Sequence, residues 1–178
     1  MKTIHRVKYT TPDCIENGMK AERLFASLAI KRGWQVTPTK ALRDIKDHID
    51  FIIRAEGITF TVDVKALKKI GRHDPKEQSK YIWLELKNVR GKSGWLFGKA
   101  DIIAFEMPYG FLLFKRKSLI DFKRRFVNHW KLTRDPRKAE YILYQRKGRR
   151  DVLTLVEVGL LKQTISHEAW FTEEYKWN

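Results

Sequence analysis

The sequence predicts an α/β fold in a single domain over residues 1–178, because helix patterns and strand patterns alternate along it. Helices are predicted over residues 18–33 and 119–131, where apolar side chains recur every three or four positions. Runs of β-branched and aromatic residues predict strands, over residues 34–39, 50–65, 81–87, 101–107, 110–116 and 139–158.

Composition indicates the class of protein and the cellular compartment in which it is expected. Of the 178 residues, 43% are hydrophobic and 12% aromatic, which is typical of a globular chain. Cys14 is the single cysteine, so no internal disulfide forms and a reducing compartment is expected. Neither a signal-peptide core nor an apolar run of membrane-span length is present. We therefore expect no membrane partner and a location in the cytoplasm of a prokaryote or of a virus-infected host.

The net charge of +16 indicates a polyanionic partner, for which nucleic acid is the leading candidate. The excess charge is clustered, since Asp121 is the sole acid between Lys115 and Lys131. A surface suited only to solubility usually mixes both signs. Composition therefore favours a nucleic-acid-binding protein.

Glu22 has an unusual position in the first predicted helix, which Gly33 ends as a left-handed cap. Glu22, Phe25 and Ala29 are spaced so that the carboxylate lies on or beside the apolar stripe. A buried carboxylate needs a partner, which a metal ion or a lysine supplies. The alternative is an ordinary surface glutamate paired with Lys20 or Arg23.

Residues 50–65 predict a β-hairpin that reverses at Ala55-Glu56-Gly57. Side chains two apart share a face of a strand, so Asp63 and Lys65 project together, away from Val62 and Val64. Antiparallel pairing brings the carboxylate of Asp50 towards Asp63. Mg²⁺ takes one or two such carboxylates, and a nearby lysine stabilises a developing negative charge.

Other acids compete for this role. Asp44 and Asp47 lie near the hairpin, but Asp50 ranks above them because it directly precedes the apolar run of residues 51–53. Glu85-Leu86-Lys87 forms a second acid-x-Lys pair on another strand. The first pair is preferred because a tight hairpin explains how Asp50 meets Asp63, while Glu85 can act as an auxiliary ligand or hold Lys65.

Three basic segments are predicted to contact phosphates, and ordinary solvated loops are the alternative interpretation. Glycines let the loop over residues 88–101 approach a backbone closely, and an indole there can stack on a base or anchor the loop to the core. The candidate nucleic-acid-binding residues are Lys68, Lys69, Arg72, Lys87, Arg90, Lys92, Trp95, Lys99, Lys147 and Arg149.

In the C-terminal half, the sequence predicts a helix capped by Ser118. It also predicts that residues 137–178 form a basic hairpin and a tail added to the core of the domain. The buried stripe of this helix is predicted to contain Leu119, Phe122, Phe126 and Trp130. A basic hairpin follows over residues 139–158. The aromatic and acidic tail over residues 165–178 is expected to pack on the domain or on a second subunit.

Asp50 followed by Asp63-Val64-Lys65 resembles the signature of the PD-(D/E)xK nuclease superfamily, with His48-Ile49 where that pattern often carries a proline. The run "GMKAER" followed by Gly33-Trp34 resembles the start of archaeal Holliday-junction resolvases in the same superfamily. This second resemblance covers about the first third of the chain.

The resemblance implies a restriction-endonuclease-like fold, a central mixed β-sheet flanked by helices. It implies Mg²⁺, with Mn²⁺ as a substitute, held by Glu22, Asp50, Asp63 and the Val64 carbonyl, with Lys65 as a further catalytic residue. Thr37 or Thr39 would supply the hydroxyl that these resolvases use. It also implies branched or structured DNA as the substrate and a symmetric homodimer.

Several functions stay open on the residues alone. A site-specific restriction-type endonuclease or an exonuclease belongs to the same superfamily, and fold does not fix function. A non-catalytic nucleic-acid-binding protein would share the basic surface. Charge alone does not separate DNA from RNA as the partner.

Overall fold

The computed structural model describes residues 12–39 and 47–172. Its helices are α1 (Pro12–Lys31), α2 (Arg116–Phe126) and α3 (Val158–Thr164), with short 3-10 turns at Trp95–Phe97 and Pro136–Lys138. Its strands are β1 (Gln35–Pro38), β2 (Phe51–Ala55), β3 (Ile58–Lys65), β4 (Tyr81–Lys87), β5 (Ile102–Met107), β6 (Gly110–Lys115), β7 (Asn128–Thr133), β8 (Ile142–Tyr144), β9 (Val152–Glu157) and β10 (His167–Phe171). None of the helices in these ranges has the length and apolar character needed to cross a membrane.

Two sheets organise the described residues. The first has the strand order β1-β2-β3-β5-β6-β10 and is mixed, because β3 and β5 run parallel while the other neighbours are antiparallel. The second has the order β4-β9-β8-β7. The predicted α/β fold, with a central mixed sheet flanked by helices, is confirmed.

The first sheet separates two hydrophobic cores. On one face α1 packs Ala21 and Phe25 against Val62 and Val64 of β3. The opposite face contributes Ile103 and other β5 and β6 side chains to a core shared with β4, β9, α2 and α3. Side chains alternate between faces along a strand. Asp63 and Lys65 therefore project to the face away from α1.

The N-terminal predictions hold with shifted boundaries. The first helix begins at Pro12 and ends at Lys31, followed by Gly33 in the predicted left-handed conformation, with φ 83°. The predicted strand over residues 81–87 coincides with β4. The hairpin reverses at Glu56 and Gly57, whose φ angles are 47° and 80°.

The predicted helix over residues 119–131 is wrong in its second half. The helix α2 begins at Arg116, directly after β6, so Ser118 is not its cap. It ends at Phe126, because the Asn128 amide donates to the Tyr141 carbonyl at 2.8 Å and the chain enters β7 instead. Leu119 and Phe122 are buried as predicted, but Trp130 is 97% exposed and belongs to no buried stripe.

The C-terminal half supplies strands to both sheets. The predicted basic hairpin is confirmed as β8 and β9, joined through a turn in which Gly148 has φ 69°. The tail packs on the domain through β10, which pairs with β6. Residues 173–178 lie outside the described residues.

Candidate active site

The β2–β3 hairpin places Asp50 beside Asp63. Phe51 pairs with Val62 at the last position of the register, and Asp50 directly precedes Phe51. The Asp50 amide donates to the Val62 carbonyl at 2.9 Å, which ties Asp50 to β3 beyond the end of β2. The two acids are thus held at the end of the hairpin away from its turn.

Lys65 and Asp63 form an ion pair in which the lysine Nζ lies 2.5 Å from Oδ1 of the aspartate. The Asp63 side chain is 2% exposed and that of Lys65 is 24% exposed. Asp50 is held separately, since its Oδ2 accepts a hydrogen bond from the Val64 amide at 2.6 Å. Backbone pairing and side-chain bonds together fix the orientation of both carboxylates.

Carboxylates keep Lys65 charged. Burial opposes the charged form of Lys65, but the negative charges of Asp63, Asp50 and Glu85 outweigh it and raise the pKa of the ammonium. The Lys65 Nζ also lies 5.3 Å from the centre of the Trp95 ring, within the range of a cation–π contact. Lys65 is therefore a fixed cation in a partly closed site.

Glu85 joins this site from the second sheet. Burial raises the pKa of Glu85, the Lys65 charge lowers it, and the Asp151 charge raises it again. A Cβ atom on Gly94 would lie 2.8 Å from Glu85 Cγ, so the backbone at Gly94 closely covers this acid. The rival pair is thus divided, with Glu85 turned towards Lys65 and Lys87 exposed to solvent.

Asp151 is a neighbouring acid that sequence reasoning missed. It is 1% exposed, and its Oδ2 lies 2.6 Å from a guanidinium nitrogen of Arg146. Its Oδ1 is buried without a hydrogen-bond partner among the described residues. One feature of the sequence could have identified Asp151. It is a single acid at the start of an apolar strand, and it directly follows five residues that include Lys147, Arg149 and Arg150.

Glu22 lies on a different face of the first sheet from Lys65. It is half-buried on α1, next to Ala21 and three residues before Phe25, as predicted from the helical spacing. Across residues 12–39 and 47–172, no three His, Cys, Asp or Glu side chains form a group able to hold a metal ion. The structure therefore does not bring Glu22 together with Asp50 and Asp63 as the resemblance implied.

Other candidate acids and hydroxyls near the hairpin make contacts of their own, outside the group formed by Asp63 and Lys65. Asp47 forms an ion pair with Lys99 at 3.0 Å. The Thr39 hydroxyl donates to the Ile49 carbonyl and lies 3.2 Å from the Asp50 carbonyl, whereas Thr37 is exposed on β1. Asp44 lies outside the described residues.

The donors at the hairpin suit a hard divalent cation. Asp50 and Asp63 offer carboxylate oxygens, and Val64 between Asp63 and Lys65 offers a backbone carbonyl. Mg²⁺ commonly binds one or two carboxylates and keeps several waters, so a protein cage of three acids is not required. The residues present fit this ion.

Most predicted phosphate contacts are on the surface, but for Trp95 the alternative of a core anchor holds. Trp95 is 6% exposed and packs against Phe105 in the core, so its ring cannot stack on a base. Lys69 is half-buried, and its carbonyl accepts a hydrogen bond from Trp83 at 3.0 Å. The exposed candidates are Lys68, Arg72, Lys87, Arg90, Lys92, Lys99, Lys147 and Arg149.

Two basic segments meet beside Glu85 and Asp151. A Cβ atom on Gly91 would lie 3.3 Å from side-chain atoms of Arg150, so the loop over residues 88–94 contacts the turn over residues 146–150. Lys87 pairs in register with Val152 at the base of both segments. We call this surface the basic rim, and it comprises Lys87, Arg90, Lys92, Lys147, Arg149 and Arg150.

Comparisons with known proteins give one distant likeness. No protein-family model matches the chain, and no curated protein matches it by sequence. Among solved structures, a bacterial homing endonuclease, I-Ssp6803I, is similar at 21% sequence identity with a TM-score of 0.42. The match covers 58% of this chain and 66% of the endonuclease, just under two thirds of its length.

Proposed function

We propose that this protein is a metal-dependent deoxyribonuclease that hydrolyses DNA phosphodiester bonds. The observation that carries the proposal is the ion pair between Lys65 and Asp63 at 2.5 Å, with Asp50 hydrogen-bonded to the Val64 amide in the same hairpin. Two oriented carboxylates beside a charged lysine match the needs of phosphodiester hydrolysis. The net charge of +16 supports a polyanionic substrate.

Each residue has a separate part in this proposal. Asp50, Asp63 and the Val64 carbonyl would hold Mg²⁺ or Mn²⁺, and Glu22 lies outside this set because α1 packs on the opposite face of the first sheet. The ion would supply an activated water and neutralise charge at the scissile phosphate. Lys65 orients the nucleophile and stabilises negative charge on the phosphate, since its raised pKa keeps it protonated. Glu85 holds the Lys65 ammonium in position from the second sheet.

We further propose a structure-specific endonuclease of Holliday-junction-resolvase type, acting on branched DNA as a homodimer. The resemblance of residues 18–34 and of the Asp50, Asp63 and Lys65 pattern supports this finer assignment. Cleavage of four-way junctions, flaps, linear duplex, single strands and matched RNA substrates would separate the possible substrate classes. Cutting of linear duplex at one sequence alone would instead establish a restriction-type enzyme.

The decisive experiment replaces Asp63 with Asn and Lys65 with Ala. Each change should reduce Mg²⁺-dependent cleavage by at least about 100-fold, because metal binding or charge stabilisation is lost. Gel-shift binding measured without divalent ions should stay within about threefold, since the basic surface supplies most of the affinity. Arg54→Ala removes a positive charge near the turn of the same hairpin and should leave cleavage unchanged.

Two results would contradict the assignment. Full cleavage by both variants would show that the hairpin acids and lysine are not catalytic. Tight, salt-sensitive binding of DNA by the parent protein, with no turnover in Mg²⁺ or Mn²⁺, would favour the alternative of a non-catalytic nucleic-acid-binding protein.

A further inference from the structure

Trp130 is an exposed aromatic ring that the proposed active site does not use. It is 97% exposed, and Leu132 on the same strand is 51% exposed. The strand β7 that carries them is the last strand of the second sheet within the described residues. An indole exposed to this degree is accessible for stacking on a planar ligand.

The backbone beneath Trp130 is ordered and bulges outwards. The pairing of β7 with β8 jumps from Asn128 opposite Ile142 to Leu132 opposite Leu143, so residues 129–131 project from the ladder. The Asn128 side chain accepts a hydrogen bond from the Trp130 amide at 2.9 Å and holds this bulge. The Trp130 ring is thus exposed on a backbone that is already fixed, so binding of a ligand would not have to order this segment.

The surroundings of Trp130 are cationic. Lys123, Arg124 and Arg125 form the last turn of α2, just before the bulge, and Lys131 follows Trp130 directly. The two acids of residues 115–138 are Asp121 and Asp135, and both are engaged locally. Asp121 lies 3.3 Å from Arg124, and Asp135 accepts a hydrogen bond from the Arg137 amide at 3.0 Å.

A chain of contacts connects the bulge to the proposed active site. Lys65 lies over Trp95, whose 3-10 turn also contains Phe97. The Lys123 Nζ lies 5.7 Å from the centre of the Phe97 ring. The Val127 amide donates to the Lys123 carbonyl at 3.1 Å, just before the chain enters β7. The cationic last turn of α2 is therefore linked to Lys65 through the 3-10 turn.

We propose that Trp130 is a stacking site for an unpaired nucleobase of DNA bound across this cationic face. A flat aromatic ring with cations on both sides along the chain matches the base and the phosphates of one single-stranded segment. The proposal rests on the proposed nuclease function and narrows its substrates to DNA that contains unpaired nucleotides. This role replaces the prediction from the sequence that Trp130 lies on the buried apolar face of a helix.

The test compares Trp130→Ala with Trp130→Phe, both combined with Asp63→Asn, in the absence of divalent ions. The probes are a fully paired duplex and the same duplex with a single-stranded arm. Stacking contributes about 1–3 kcal/mol per base, so Trp130→Ala should weaken binding of the armed duplex roughly 5- to 150-fold. Trp130→Phe should retain most of the affinity, and binding of the paired duplex should change less than about twofold.

Tyr109→Ala is the matched control, because it removes another exposed aromatic ring, 53% exposed, from the turn between β5 and β6. It should leave binding of both probes unchanged. The thermal midpoint of Trp130→Ala should equal that of the parent, since 97% of this side chain is already in water.

Three outcomes would overturn the stacking site: unchanged binding of the armed duplex, equal losses on both probes, or a Trp130-dependent self-association seen by sedimentation. The last result would assign the ring to a contact between copies of the chain. Binding is measured without turnover, so absence of cleavage by the parent protein would contradict the nuclease assignment alone. The binding data would still test the stacking site.

Discussion

Lys65 retains its charge in a partly closed site because acids from two sheets surround it. Burial favours a neutral lysine, but Asp63 at 2.5 Å, together with Asp50 and Glu85, reverses the direction of the pKa shift. The same arrangement has a cost for Glu85, whose charged form is disfavoured by burial and by Asp151. The negative charge of Glu85 therefore stabilises the charged form of Lys65, while burial disfavours the charged form of Glu85 itself.

Replacing Glu85 with Gln should stabilise the fold at neutral pH. The pKa of Glu85 is raised above its ordinary value of 4.5, so the folded chain binds this proton more tightly than the unfolded chain. Its contribution to the free energy of unfolding falls as the pH rises from 4.5 through the folded-state pKa, and the loss persists at higher pH. Thermal midpoints of both proteins, from about pH 4 to about pH 8, measure the difference.

The stabilising effect should grow with pH across that window, while cleavage declines because Lys65 is held less firmly. Glu140→Gln, which removes an exposed acid, controls for the change in net charge. If Glu85→Gln instead lowers the midpoint throughout the range, the attraction between Glu85 and Lys65 exceeds the cost of burial.

At the scale of elements, the 3-10 turn at Trp95–Phe97 connects the two sheets at the site. Its Trp95 ring lies 5.3 Å from Lys65 Nζ, and its preceding residue, Gly94, donates a hydrogen bond to the Leu86 carbonyl at 2.9 Å. This approach brings the turn against Glu85 with no space for a side chain at position 94. The turn therefore sets the position of both Glu85 and Lys65.

Gly94→Ala should destabilise the protein and reduce cleavage, because the new Cβ would overlap the Glu85 carbonyl and lie 2.8 Å from its Cγ. Overpacking of this kind costs about 1–3 kcal/mol. Gly18→Ala is the matched control, since a Cβ there meets nothing within 4 Å inside α1. It should stabilise the protein by about 0.5–1 kcal/mol. Denaturant unfolding measures both changes, and equal stability of the two variants would contradict the packing argument.

At the scale of the whole molecule, positive charge is concentrated in two regions of the surface. The basic rim lies beside Glu85 and Asp151, and the cations of α2 and β7 lie beyond the 3-10 turn. The 37 lysines and arginines outnumber the 21 acids, so ion pairing within the chain leaves cations available for phosphates. Binding of nucleic acid should accordingly depend strongly on salt.

Replacing Arg90 and Lys92 together with Ala should weaken DNA binding and reduce its salt dependence. Each lost phosphate contact lowers the slope of log affinity against log salt by about 0.9 on duplex DNA. Fluorescence anisotropy across a salt series measures the slope for the double variant, the parent and Arg54→Ala. An unchanged slope in the double variant, or an equal change in Arg54→Ala, would place the phosphate contacts away from the basic rim.

Local patterns in the sequence determined much of the fold and of the hairpin. Alternation of side chains and a glycine turn are short-range properties, so the hairpin, its turn at Glu56-Gly57 and the shared face of Asp63 and Lys65 followed directly from the residues. The strand β4 and the cap at Gly33 were equally readable. Composition alone indicated a basic protein with a polyanionic partner.

Tertiary structure decided what depends on partners distant in the chain. The apolar spacing after Phe126 fits a helix, yet backbone pairing with β8 converts this segment into a strand and exposes Trp130. The sequence left open whether Glu85 holds Lys65 and whether Trp95 anchors its loop to the core. Folding of the second sheet and its 3-10 turn against the first sheet brings Glu85 within electrostatic reach of Lys65 and buries Trp95. Long-range pairing and burial of this kind leave no local signal, which is why the sequence identified the hairpin acids but not the full surroundings of the lysine.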